Sequence, residues 1–192
     1  MIEELCEKLP GGNIAALIVG LNTLFYGMYL FWPKYSMSTY KLNFMFSLYG
    51  LQRGYVWNLF TCHFAHQSAI FYLIDSVILF MLSQSLTMMY GPLFATKTVL
   101  LSMFLGSFFL YLYHNSQGGM ANPWQGNDAI LRGIIFAIIF QNPTQSFMLF
   151  PIPVNLPAWG IGAFLLFMDF ITFNVAGFGG VSASYAMINY LS

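Results

Sequence analysis

Long apolar runs decide what this chain can become. From about residue 13 onward the sequence returns repeatedly to hydrophobic stretches, each closed by proline, glycine or a polar loop. A helix that crosses a bilayer needs about 20 such residues at about 1.5 Å rise per residue. Within lipid its backbone amides must be satisfied internally, so runs of this kind read as transmembrane helices. Charge supports that reading. Six Lys/Arg and six Asp/Glu make up 6% of the 192 residues, against roughly a quarter in a soluble domain. So few charges cannot coat a water-facing surface, and most of the exterior must face lipid or protein. The net charge is zero, so nucleic acid is not an expected partner. No linker, charge run or low-complexity segment divides the chain, which is read as one domain over 1–192.

The runs predict an all-α membrane protein with six helices over about 13–32, 68–90, 94–113, 127–141, 156–172 and 177–191. A large amphipathic first loop over 34–67 carries Lys34, Lys41 and Arg53 beside aromatic residues suited to the membrane interface. The fourth run is short: about 15 residues, or roughly 22 Å, do not cross a core of about 30 Å. The loop before it, 114–125, must therefore dip into the membrane, shielded by protein. The sixth run is rich in small residues (Gly177, Gly179, Gly180, Ser182, Ala183, Ser184 and Ala186), which let helix backbones approach closely. Its expected partner is the fourth helix, through Gly133 and Ala137. Orientation is not determined: Lys34, Lys41 and Arg53 on one side face Lys8 and Lys97 on the other, beside Glu3, Glu4 and Glu7. The start, Met1 to Lys8, has neither the basic opening of a secretory signal nor an Arg-rich presequence, so targeting is expected to reside in the helices. Cys6 and Cys62 fit no metal or redox spacing.

Local motifs carry a family resemblance. The end of the first loop reads Trp57-Asn58-Leu59-Phe60-Thr61-Cys62-His63-Phe64-Ala65-His66. It is similar to the Trp-Arg-x-x-Thr-x-x-Phe-x-His of rhomboid proteins, with Asn58 in place of Arg. Phe150-Pro151-Ile152-Pro153 and Leu156-Pro157-Ala158-Trp159 resemble the rhomboid entry into the fifth helix. Ala176-Gly177-Phe178-Gly179-Gly180 resembles the start of the rhomboid sixth helix, Ala-His-x-Gly-Gly. The resemblance extends over roughly 12–190 and implies a six-helix rhomboid bundle with a short fourth helix.

The same resemblance implies a catalytic site whose residues are replaced. Rhomboid proteases pair a Ser at the start of the fourth helix with a His on the sixth. Here the nucleophile position falls on Asn127, or on Asp128 in a register one residue later, and the base position on Gly177. The oxyanion-stabilising positions on the second helix fall on Phe71 and Asp75. A glycine accepts no proton, an amide is no activated serine, and Phe71 donates nothing. Ser182 and Ser184 have no His on a facing helix in this arrangement. The expectation is a proteolytically inactive member, with no cofactor or metal.

Other intramembrane polar residues remain. Asp128 and Arg132 are spaced to meet on one helix face, and charges inside a bilayer are costly and usually paired. The expected arrangement is a buried Asp128–Arg132 pair, extended to Asp75, that replaces the old site; the alternative is a contact to a lipid headgroup or a partner subunit. In rhomboids the Arg132 position is normally small, so the long cation is expected to disturb the packing of the fourth and sixth helices or to fill the space at Gly177. His63, His66 and His114 read as interfacial hydrogen-bonding residues rather than metal ligands. Asp169, inside the fifth run, marks a helix–helix polar contact, a protein partner or a water-filled pocket.

These readings favour a structural or accessory subunit of a larger membrane assembly, in contact with lipid and with other membrane subunits. Short tails outside the helices add the expectation of neighbours that hold them. The mitochondrial inner membrane, in a respiratory or ATP-synthase assembly, is the favoured place. The alternative is a Derlin-like bundle that thins the endoplasmic reticulum membrane and helps move proteins through it. An unusual intramembrane protease and a small transporter relaying through Asp75, Asp128 and Arg132 rank lower, the latter because no inverted repeat is visible.

Overall fold

The computed structural model describes residues 14–118, 122–148 and 155–191. Glu3, Glu4, Cys6, Glu7, Lys8, Asn13 and the Phe150–Pro153 segment lie outside the described residues. The apolar runs become helices: α1 (Ile14–Phe31), α5 (Ala69–Tyr90), α6 (Pro92–Ser116), α7 (Asp128–Gln141), α8 (Ala158–Thr172) and α9 (Val175–Ala186), the last continuing into a π-helical turn over Met187–Leu191. Three of them, α1, α5 and α6, are long and apolar enough to cross a membrane; α8 is a shorter apolar helix. α7 has 14 residues, about 21 Å, in line with the expected short fourth helix.

Local chemistry sets the boundaries. Pro33 follows α1 and heads a 3-10 turn over Lys34–Ser36. Gly91, at φ 86, closes α5, and Pro92 opens α6 at a position where its missing N–H costs nothing. α6 outruns the expected 94–113 by most of a turn. The polar tripeptide His114-Asn115-Ser116 reads as loop, yet Ser116 Oγ donates to the Tyr113 carbonyl at 2.7 Å and His114 is buried with its ring 5.0 Å from Phe46. Leu156 and Pro157, expected within the fifth helix, instead belong to strand β2 (Asn155–Pro157), antiparallel to β1 (Ser146–Met148). Three-residue strands are too short to show an alternating pattern. α9 starts at Val175 rather than 177, because the Asn174 side chain caps it by accepting the Gly177 N–H at 3.1 Å.

The first loop folds into α2 (Met37–Phe44), α3 (Leu48–Gln52) and α4 (Asn58–Thr61). It turns back onto α1: Tyr40 is fully buried, its hydroxyl donating to the Phe25 carbonyl at 3.1 Å, within a cluster that includes Trp32 and Phe44. A bridge between Phe46 and Trp124 ties the loop to the segment that leads into α7.

α7 forms the centre, with Ala129, Ile130, Ile134 and Ala137 fully buried. The small residues of α9 fit against it as expected. A Cβ on Gly180 would strike the Ala129 carbonyl, and Ser184 Oγ donates to the Gly133 carbonyl at 2.5 Å. α9 also presses on α6: a Cβ on Gly179 would lie 2.5 Å from Gly106 Cα. That contact is hidden in the sequence, where Gly106 is a lone glycine in a run of large side chains. The outer faces of α1, α5 and α8 expose Leu30, Phe31, Ile70, Met81, Phe167 and Phe170. This suits a lipid-facing exterior.

Candidate functional site

Asn127 and Gly177 sit at the starts of the two central helices. Gly126, at φ 116, turns the chain into α7, and its N–H donates to the Cys62 carbonyl at 2.9 Å. The turn carries Asn127 to the N-cap of α7, fully buried, where neither amide atom has a hydrogen-bond partner among the described residues. Asp128 follows, half-buried.

One turn on, Arg132 does not bond Asp128. Its guanidinium reaches across to α8, with Nε donating to Asp169 Oδ2 at 2.7 Å and Nη2 to Oδ1 at 2.8 Å. Asn174 Nδ2 adds a third donor to the same carboxylate at 3.2 Å. The hydrogen bonds of Arg132 thus form an interhelical fork to Asp169, while Asp128 stays within electrostatic reach of the guanidinium. Helical spacing permits the local pair, but burial decides between the partners. The Asp169 side chain is 1% exposed, and a buried carboxylate without a cation is the costlier defect. Of the three readings of Asp169, the structure shows the helix–helix contact.

The pair does not extend to Asp75 either. Asp75 Oδ2 lies 3.2 Å from His66 Nε2, and His66 Nδ1 lies 3.2 Å from the Phe64 carbonyl. Phe71 is 66% exposed and points away from the interior.

The space at Gly177 is taken. A Cβ there would stand 2.8 Å from Asp169 Oδ2 and 3.1 Å from Asn174 Nδ2. The occupant is the Asp169 carboxylate rather than Arg132, which stands behind it. The cation does not disturb the fourth and sixth helices as expected: it leaves the bundle centre toward α8, and the Gly133–Ser184 and Ala129–Gly180 contacts remain close. Sequence spacing does not group Asp169 and Asn174 with Arg132, which lies in a different apolar run. The available signal was one lone acid and one lone base in separate apolar runs, a combination that burial forces together.

All three histidines are buried within the protein. His63 forms an unforeseen contact with Ser107: its Nε2 lies 2.9 Å from Ser107 Oγ and 3.0 Å from the Met103 carbonyl. A carbonyl only accepts, so Nε2 carries the ring proton. The Ser107 hydroxyl in turn donates to the Leu59 carbonyl. The bond therefore runs from His to Ser, opposite to the direction that activates a serine.

Burial pushes the His63 imidazole down to about 4, opposed by the Met103 carbonyl. In the unfolded chain the ring titrates near 6.5. Between those values the unfolded state binds the extra proton, so stability is full above about pH 6.5 and falls as pH drops toward 4. The wild-type protein in detergent is expected to lose roughly 2 kcal/mol between pH 7 and 5 from this group. Thermal unfolding across that range checks it, and His63→Gln should flatten the dependence.

A family model described as the rhomboid domain matches residues 53–192, while curated proteins give no match. The matched region runs from the end of α3 through the last turn and contains every site residue discussed above. With its apolar helices, central glycine contacts and short α7, this integral membrane chain belongs to the rhomboid family.

Proposed function

We propose that the chain is a proteolytically inactive rhomboid-like protein that serves as a structural or accessory subunit of a larger membrane complex. One observation carries the inactive reading: an Asp169 carboxylate held by Arg132 and Asn174 fills the space into which a side chain at Gly177 would project. Asn127 supplies no hydroxyl, and the Ser107–His63 bond has the wrong polarity for a nucleophile. In this reading α7, α8 and α9 complete a six-span bundle with α1, α5 and α6, and the mitochondrial inner membrane is its place.

A serine-directed phosphonylating probe tests the reading. The wild-type protein and Asn127→Ser are both expected to stay unlabelled, because a restored hydroxyl still lacks a base. Labelling of the wild type that Ser107→Ala abolishes would overturn inactivity. For the accessory role, native electrophoresis after mild detergent extraction should place the chain in an assembly far larger than its 21.7 kDa. A lone monomer would remove that role. A Derlin-like reading draws on the short α7, which suits local bilayer thinning. Fractionation with endoplasmic reticulum rather than mitochondrial membranes would favour it.

A further inference from the structure

A cavity of about 360 Å³, with neither Asn127 nor Gly177 among its lining residues, opens where three segments meet. The C-terminal end of α6 contributes Tyr113 and His114, the segment before α7 contributes Asn122 and Trp124, and the α8–α9 turn contributes Thr172 and Phe173. Its volume falls at the small end of ligand pockets, which span about 300–1,000 Å³. It lies where the apolar run of α6 gives way to polar residues, the depth at which tryptophan and tyrosine concentrate in membrane proteins.

Its chemistry is selective. Aromatic rings line it, and among the described residues no charged side chain does. A phosphate monoester or a carboxylate would find no cation there. A primary ammonium would find no carboxylate to accept its hydrogen bonds. A quaternary ammonium needs neither, because it has no N–H and is attracted by ring faces. Polar groups at the wall, the Asn122 amide and His114, suit the phosphodiester that accompanies such a cation. His114 is 1% exposed and its Nδ1 has no hydrogen-bond partner among the described residues. Phe170, Ile171 and Phe173 are exposed on the adjoining end of α8 and offer an apolar track for acyl chains.

The backbone at Phe173 adds an independent observation. Among the described residues it is the one non-glycine with positive φ, 51°. It ends α8 in the left-handed conformation that usually falls to glycine or asparagine. A bulky ring in that conformation is an outlier, and such residues cluster at ligand clamps. Phe173 is 74% exposed, so core packing does not account for its ring, which stands on the cavity wall.

We propose that this cavity seats the quaternary-ammonium headgroup of a phosphocholine lipid. The inference does not depend on whether the chain is catalytically inactive.

Native mass spectrometry of the full chain in micelles tests it, with phosphatidylcholine and phosphatidylethanolamine of identical acyl chains offered in equal amounts. Phosphatidylcholine is expected to be retained about tenfold better. Phe173→Gly suits the left-handed backbone and should fold at least as well as wild type, yet lose that preference; Trp124→Leu should lose it too. Equal retention of the two lipids, or a preference unchanged in both variants, would overturn the proposal. A free phosphocholine arm separates the sources. Failure of millimolar phosphocholine to displace the lipid supports the lipid headgroup, whereas displacement at micromolar concentration would leave a quaternary-ammonium site and overturn its lipid origin.

Discussion

Asp169→Ala is expected to destabilise the protein by about 3 kcal/mol, the low end for a broken buried pair, because it strips the Arg132 cation of its hydrogen-bonded carboxylate and leaves only the nearby Asp128 to oppose the charge. The carboxylate is nearly inaccessible, its Arg132 partner is 17% exposed, and the contact is bidentate, so solvent offers little relief. Arg132→Met should cost a comparable amount, tempered by the donor that Asn174 still gives the stranded carboxylate. The double variant Arg132→Met/Asp169→Leu removes both charges and replaces them with apolar volume. It should recover most of the loss, since a buried pair is often worth no more than well-packed hydrophobic residues. Thermal unfolding in detergent measures all three. Single variants within about 0.5 kcal/mol of wild type, the usual range for surface substitutions, would show the fork to be a minor contact. A double variant no better than either single would point to a role for Asp169 beyond charge compensation, in holding Asn174 and the start of α9.

That network marks the limit of what the residues alone disclose. Helix positions were legible because lipid imposes a single rule on every span: apolar side chains outside and satisfied amides inside. Ile14–Phe31, Ala69–Tyr90 and Asp128–Gln141 accordingly fall within a few residues of expectation. The α7–α9 contact was legible because small residues concentrate on one helix. The partner of Arg132 was not. Sequence spacing offers only the local candidate, Asp128, whereas the choice of Asp169 depends on which carboxylate the fold buries, a property of helix–helix arrangement. His114 was misplaced for a related reason: a polar tripeptide signals a loop until an aromatic neighbour such as Phe46 provides a buried place for the ring. The β1–β2 pair lacked the length to leave a pattern.

The central glycines give the other large effect, and their surroundings separate two mechanisms. A Cβ on Gly180 would collide with the Ala129 carbonyl and lie 2.9 Å from Gly133 N, while one on Gly179 would lie 2.5 Å from Gly106 Cα. These obstacles are backbone, which no rotamer change removes, so α9 must move away from α7 or α6. Overpacking typically costs about 1–3 kcal/mol and occasionally more; Gly180→Val and Gly179→Val are expected at or above the top of that range. Gly20→Ala and Gly27→Ala on α1 supply the control. Nothing lies within 4 Å of a Cβ at either position, and alanine favours a helix interior by up to about 1 kcal/mol over glycine. Gly106→Ala differs in kind, since its nearest obstacle is the Ala129 Cβ at 2.5 Å. Ala129→Gly should therefore relieve Gly106→Ala but give no relief to Gly180→Ala, whose obstacle is the Ala129 carbonyl. A double-mutant cycle on unfolding free energy reads the difference. Coupling in the Gly106 pair and none in the Gly180 pair is the expected result; equal coupling in both would mean that α9 does not approach the α7 backbone as closely as its glycines allow.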